Sequence, residues 1–311
     1  MPKIFLTSLK IIITIAIFYY FFKKYDLAHI YNSYDTSDFL ASLFLCATLL
    51  LIQGLICSIR LKKIGAILNE KFNLKAAWEA SSIGGFYSHT PLSFIGGDIV
   101  RIATLSGKKR SLKKLTGVVM LDRITGLMGL ALLCILLLPI LLLKWGGGIT
   151  NIKNISYIFL GYSIGLLMLF CLLHFANFLI KRYNLVIQRS FDLTSSQFQM
   201  VKNNLLKLLL LSLAAYVLAT LGFIFIDLTL QLKINPLILA ISIPYAIVVT
   251  LIPISIGGWG LREGAVIFVL NKLGTVPTET CLILSITYGL AVFLAFIPGS
   301  LIYFWNKKNG I

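Results

Sequence analysis

Hydrophobic residues along this chain come in long runs rather than at helical or strand spacing. Mainly apolar stretches lie at roughly 4–22, 39–59, 116–143, 155–180, 208–230, 236–256 and 278–304. Runs of about 18 or more such residues have the length of a bilayer-spanning helix. Each is predicted to be a transmembrane helix. The first is read as a span and not as a cleaved leader, because no small-residue cleavage site follows it. Tyr19, Tyr20, Phe21 and Phe22 close the first run, and Tyr303, Phe304 and Trp305 close the last. Aromatic residues at those positions suit the membrane–water interface. Two further stretches, about 76–105 and 256–274, are apolar yet broken by glycine, proline and charge. The fold class expected is all-α: a polytopic membrane protein of about 7–9 segments, including two broken or re-entrant helices.

The broken stretches resemble each other. Residues 91–103 read PLSFIGGDIVRIA and residues 253–267 read PISIGGWGLREGAVI. Gly96, Gly97 and Arg101 match Gly257, Gly258 and Arg262 at identical spacing, with Phe94 as the one extra residue. Proline interrupts a preceding helix, and paired glycines admit backbone geometries closed to other residues. Each unit therefore predicts a break, a turn and a restarting helix. The N–H groups and positive dipole of that helix would face the gap. The duplication points to an internal repeat with halves at about 1–145 and 155–311, in a single membrane domain without a soluble one. Transporters built from such repeats present broken-helix ends to an anionic substrate.

Charge inside the apolar stretches sharpens that expectation, since a buried arginine or aspartate costs about 2.5–3.5 kcal/mol on insertion scales. The candidates are Asp98 with Arg101, Asp122 with Arg123, and Arg262 with Glu263. Asp98 stands three residues before Arg101, on the same helical face. Glu263 is expected to reach another element, Arg101 being one choice. Asp227 reads as interfacial. Two accounts stay open. Either these residues form a cross-paired structural cluster, or Arg101 and Arg262, with N–H groups at Gly96, Gly97, Gly257 and Gly258, hold one anionic group. In the second account Asp98, Glu263, Asp122 and Arg123 pair the charges or carry protons.

Composition excludes much else. Of 311 residues 58% are hydrophobic and 13% charged, against about 25% charged in a typical soluble domain. The net charge of +17 is concentrated in particular loops. Eleven Lys/Arg face three acids between Arg60 and Lys114, and five face one between Lys181 and Lys207. Such alternation follows the positive-inside rule, so it predicts a cytoplasmic N-terminus and no nucleic-acid partner. The five cysteines are scattered without metal-ligand or disulfide spacing. No metal, cofactor or catalytic motif is expected, although His89 beside the first broken unit is a candidate ligand contact.

Three segments carry a family resemblance: GGDIVRIATL from Gly96, LDRITGLMGLALL from Leu121, and PISIGGWGLREGAVIFVL from Pro253. In this order they resemble the signature regions of the lysylphosphatidylglycerol synthase transmembrane-region family, a flippase-like family. In its two-part members a membrane region resembling a lipid flippase accompanies a cytosolic domain that aminoacylates phosphatidylglycerol. Others accompany glycosyltransferases. The resemblance implies a bacterial or archaeal cytoplasmic-membrane protein and points to the same ten residues. The sequence ends at Ile311 without an aminoacyl-transfer domain, so that chemistry is not implied.

The function expected is binding and translocation of an anionic phospholipid or polyprenyl-phosphate-linked lipid between leaflets, by a protein that is not itself an enzyme. The partners expected are that lipid and a lipid-modifying enzyme or glycosyltransferase. The alternatives are a membrane-embedded transferase acting on a lipid phosphate, with Glu263, Asp98 or His89 as base, and a scaffold for a glycosyltransferase.

Overall fold

The computed structural model describes residues 34–89, 93–106, 110–145, 195–250 and 255–308, and part of 12–25. The expected span at 155–180, with Pro91 and Pro253, lies outside the described residues. Described elements are helical throughout. They are α1 (Thr36–Ile67), α2 (Leu74–Ser88), α3 (Ser93–Ser106), α4 (Leu112–Trp145), α5 (Ser195–Thr229), α6 (Pro236–Thr250), α7 (Leu261–Gly274) and α8 (Thr278–Lys308).

Four of these are long and apolar enough to cross a membrane: α1, and the greater parts of α4, α5 and α8. Of the other four, α2 has 15 residues and α7 has 14, roughly 22 Å of helix or less against a hydrocarbon core of about 30 Å, while α3 and α6 adjoin residues outside the described ones. The four form two pairs, α2 against α3 and α6 against α7. The expected span at 236–256 is helical over Pro236–Thr250, and 251–254 lie outside the described residues.

Local chemistry sets several boundaries. The Asp35 carboxylate accepts the Ser37 N–H at 3.1 Å and opens α1, and Asn73 Oδ1 accepts the Ala76 N–H at 2.8 Å and opens α2. Such side chains satisfy donors that a helix start leaves orphaned. After α1 the chain turns through Asn69 at φ 61°, the left-handed geometry common beyond helix ends. Asp227, near the end of α5 as expected, is buried within the protein. Its Oδ1 accepts the Ile234 N–H at 3.0 Å and closes the turn from α5 to α6.

α1 packs along α5, while α4 and α8 complete a bundle around them. One buried apolar cluster gathers Leu61, Ile64, Ala77, Leu105, Leu115, Val118 and Leu208. A second, larger one includes Leu50, Leu130, Cys134, Ala219, Phe223, Val266 and Tyr288. On α4 and α5 a gap between the clusters, residues 119–129 and 209–218, holds polar side chains.

Candidate functional site

That gap contains a buried ion network. Arg60 of α1 donates from Nε to Asp122 Oδ1 at 2.8 Å and from Nη1 to Ser212 Oγ of α5 at 2.7 Å. Arg101 of α3 donates from Nη2 to the other oxygen, Asp122 Oδ2, at 3.0 Å. Asp98 lies 3.6 Å from Arg101 Nη1, and its tighter partner is Arg123, which donates from Nε and Nη2 at 2.8–3.1 Å. Arg60, Arg101 and Asp122 are almost wholly enclosed. Arg123, with 28% of its side chain exposed, marks the side on which the network meets its surroundings.

Glycines make room for this packing. A Cβ on Gly84 of α2 would run into the Arg101 stem, and one on Gly97 would strike the Gly84 carbonyl and the Ser88 hydroxyl. On α4, a Cβ on Gly126 would stand 3.3 Å from Arg60, and one on Gly129 would collide with Ser212. The glycines of LDRITGLMG thus admit the partners of the Asp122 that precedes them.

Gly96 and Gly97 do not form the expected turn. They lie inside α3, which is helical from Ser93 on and so places Arg101 at least two turns into the helix. At the second unit the turn does form. Gly257, Gly258 and Gly260 have φ of 57°, 79° and 83°, and α7 starts at Leu261 with Arg262 as its second residue. Both helices carry the shared motif, but it sits at least seven residues, about two turns, later in α3.

The start of α7 is already filled. The Gly260 N–H donates to Glu263 Oε2 at 2.5 Å. Glu263 Oε1 accepts from Arg262 Nη2 at 2.6 Å and from Ser285 Oγ of α8 at 3.2 Å. Arg262 stacks on Trp259, with 4.6 Å between guanidinium and ring, and its Nη2 occupies the space a Cβ on Gly289 would need. Glu263 therefore does reach another element, through Ser285 of α8, while its ion pair is with the neighbouring Arg262 and not with Arg101. This second centre is neutral and closed.

The two glycine units converge on the end of α2. Gly97 packs on Gly84 and Ser88, and Gly257 lies so close to His89 that a Cβ there would be 2.7 Å from His89 Cα. His89 itself donates from Nδ1 to the Gly85 carbonyl at 2.9 Å and lies against Phe296, the position of a helix end. The arginines do not converge. Arg101 reaches Ser81, eight residues and about 12 Å along α2 from His89. Arg262 sits past that helix end, beside Gly289 and one residue from Tyr288, which packs on Phe223. Phe223 is eleven residues, or about 16 Å, along α5 from Ser212. A phosphate is only a few ångströms across, so one phosphate between Arg101 and Arg262 gives way to two centres at different depths.

Among the expected residues, then, Asp98, Arg101, Asp122 and Arg123 form one centre, Gly257, Gly258, Arg262 and Glu263 border the other, Gly97 packs α3 on α2, and Gly96 lies within α3. Sequence reasoning missed Arg60, Ser212, Trp259 and Ser285. Arg60 adjoins Lys62 and Lys63 and passes for another charge at a span end. Only its burial, against their exposure, sets it apart.

The model of the lysylphosphatidylglycerol synthase TM region matches residues 7–299. The chain belongs to this family. It is accordingly an integral membrane protein of a lipid-related family, and the three resembling segments carry both centres. No curated protein and no solved structure matches the chain. Among the described residues, the Arg60–Asp122–Arg101 centre links three guanidiniums, that of Arg123 included, to the carboxylates of Asp98 and Asp122.

Proposed function

We propose that this protein binds an anionic lipid headgroup at the Arg60–Asp122–Arg101 centre and moves the lipid between leaflets. One observation carries the reading: the enclosed Arg101 keeps an Nε without a hydrogen-bond partner. A buried donor left unsatisfied costs about 1–3 kcal/mol, and more on a charged group. A phosphate oxygen relieves that cost. Guanidinium suits the task because its planar fork matches phosphate oxygens. Entry is beside Arg123, with the acyl or prenyl tails remaining in lipid. Arg262 and Glu263 form a neutral station at the second depth, and the charged loops put the N-terminus on the cytoplasmic side of a cell's inner membrane.

A transferase is less well supported, because Asp98, Glu263 and His89 are each engaged in pairing or capping. The deciding experiment follows a fluorescent anionic lipid in proteoliposomes. The wild-type chain is expected to exchange it between leaflets without altering it. Arg101→Gln should slow exchange about tenfold or more, the scale of a charge-assisted contact. Wild-type exchange no faster than in protein-free vesicles overturns the proposal, and a new lipid species would establish the transferase instead.

A further inference from the structure

Resting on that proposed site, we infer that the lipid phosphate travels between the two arginine centres along a polar stripe of Gln53, Tyr216 and Tyr288, where α1, α5 and α8 pack together. Contacts between these helices fix both ends of the stripe. At one end Arg60 of α1 donates to Ser212 of α5. At the other, a Cβ on Gly222 of α5 would stand 3.0 Å from Cys46 Sγ of α1 and 3.9 Å from the Tyr288 ring of α8. Tyr288 also packs edge-on against Phe223, with 5.4 Å between ring centroids. Ser212 and Gly222 are about 15 Å apart along α5, which is the stretch a phosphate has to cover.

The middle of that stretch is polar. Gln53 stands seven residues from Cys46 and seven from Arg60. Two turns in each direction return to nearly the same angle, so Gln53 shares the face of α1 that meets α5. Tyr216 lies one turn beyond Ser212, within electrostatic reach of Arg60 and Asp122. Tyr288 is within reach of Tyr216 on one side and of Arg262 on the other. Two phenols thus join one centre to the next. Neither hydroxyl makes a hydrogen bond, and nor does the Gln53 amide, although Tyr288 is only 6% exposed. Polar side chains that merely glue membrane helices together do so through hydrogen bonds between them, which these three lack. All three can donate to a phosphate oxygen. As neutral donors they hold it less tightly than the guanidiniums at either end. Weak intermediate sites between stronger ones let a charged group enter and leave.

The test uses the full chain in phosphatidylcholine proteoliposomes with a small fraction of phosphatidylglycerol that is fluorescent on an acyl chain. Tyr216→Phe and Tyr288→Phe each delete one hydroxyl and keep the ring. Each should slow exchange between leaflets about two- to tenfold, the scale of one hydrogen bond, and the double variant should slow it further. Gln53→Leu should also slow it. Phosphatidylglycerol retained by the purified variants, and their melting temperatures, should match wild type, because the Arg60–Asp122–Arg101 centre is untouched. The inference is overturned if the double variant exchanges lipid at the wild-type rate, or if retained lipid falls in step with exchange. Should the double variant not fold, the two single variants decide by the same criterion. Wild-type protein that neither retains nor exchanges phosphatidylglycerol above background would instead remove the site reading beneath, whereas exchange indifferent to both hydroxyls removes the route alone.

Discussion

Arg60 and Arg101, on different helices, grip opposite oxygens of a single buried carboxylate, that of Asp122. The carboxylate ties α1, α3 and α4 together, and Ser212 extends the tie to α5. Stability and the proposed binding site thus share the same atoms.

Asp122→Asn is expected to destabilise the protein by about 3–5 kcal/mol, because it leaves two enclosed guanidiniums with one fewer counter-charge. Asp98→Asn should cost less, since its main partner Arg123 is partly exposed and can be solvated. Unfolding in mixed detergent micelles, followed by circular dichroism, measures both. Equal losses would contradict the assigned order of burial.

Glycine substitutions should divide by environment rather than by motif. Gly84→Ala puts a methyl group into the Arg101 stem and should cost about 1–3 kcal/mol through overpacking, with slower lipid exchange. Gly54 of α1 has nothing within 4 Å of a built Cβ. Gly54→Ala should therefore stabilise by about 0.5–1 kcal/mol, the helix preference of alanine over glycine. Melting temperatures of the two variants provide the check.

At the second unit the backbone itself is restrictive. Gly257→Ala meets both a left-handed φ and the His89 main chain, so strain of about 1–2 kcal/mol adds to a clash with atoms that cannot rotate away. Gly264→Ala, three residues into α7 from Leu261 and in open space, should be neutral or stabilising. Thermal unfolding of both variants in one detergent makes the comparison.

Arg262 and Glu263 are expected to behave as a unit. Each of Arg262→Met and Glu263→Gln should destabilise by about 3–5 kcal/mol by stranding the other charge. The double variant should recover part of that loss. A coupling of about 0.5–3 kcal/mol is expected from a double-mutant cycle. Strict additivity would show that the pair does not interact.

Much of this molecule was legible in one dimension. Length, apolar runs and charge between them declared long membrane helices, and α1, α4, α5 and α8 follow those runs closely. The paired glycines and the charges at 98, 101, 122, 123, 262 and 263 stood out because hydrocarbon tolerates neither broken backbone nor lone ions. Identical spacing nevertheless concealed two different backbones. Gly96 and Gly97 continue a helix, and Gly97 packs on α2, whereas Gly257, Gly258 and Gly260 adopt positive φ and form the turn.

The sequence by itself determined that this chain lives in a bilayer and which residues are too costly to leave unpaired there. Only the tertiary structure decided who pairs with whom. It recruited Arg60 from what reads as an ordinary basic span end, gave Glu263 to its own neighbour, and set Arg101 and Arg262 at different depths. The physical reason is that insertion cost depends on each residue's own chemistry, while pairing depends on the crossing of helices far apart in the chain.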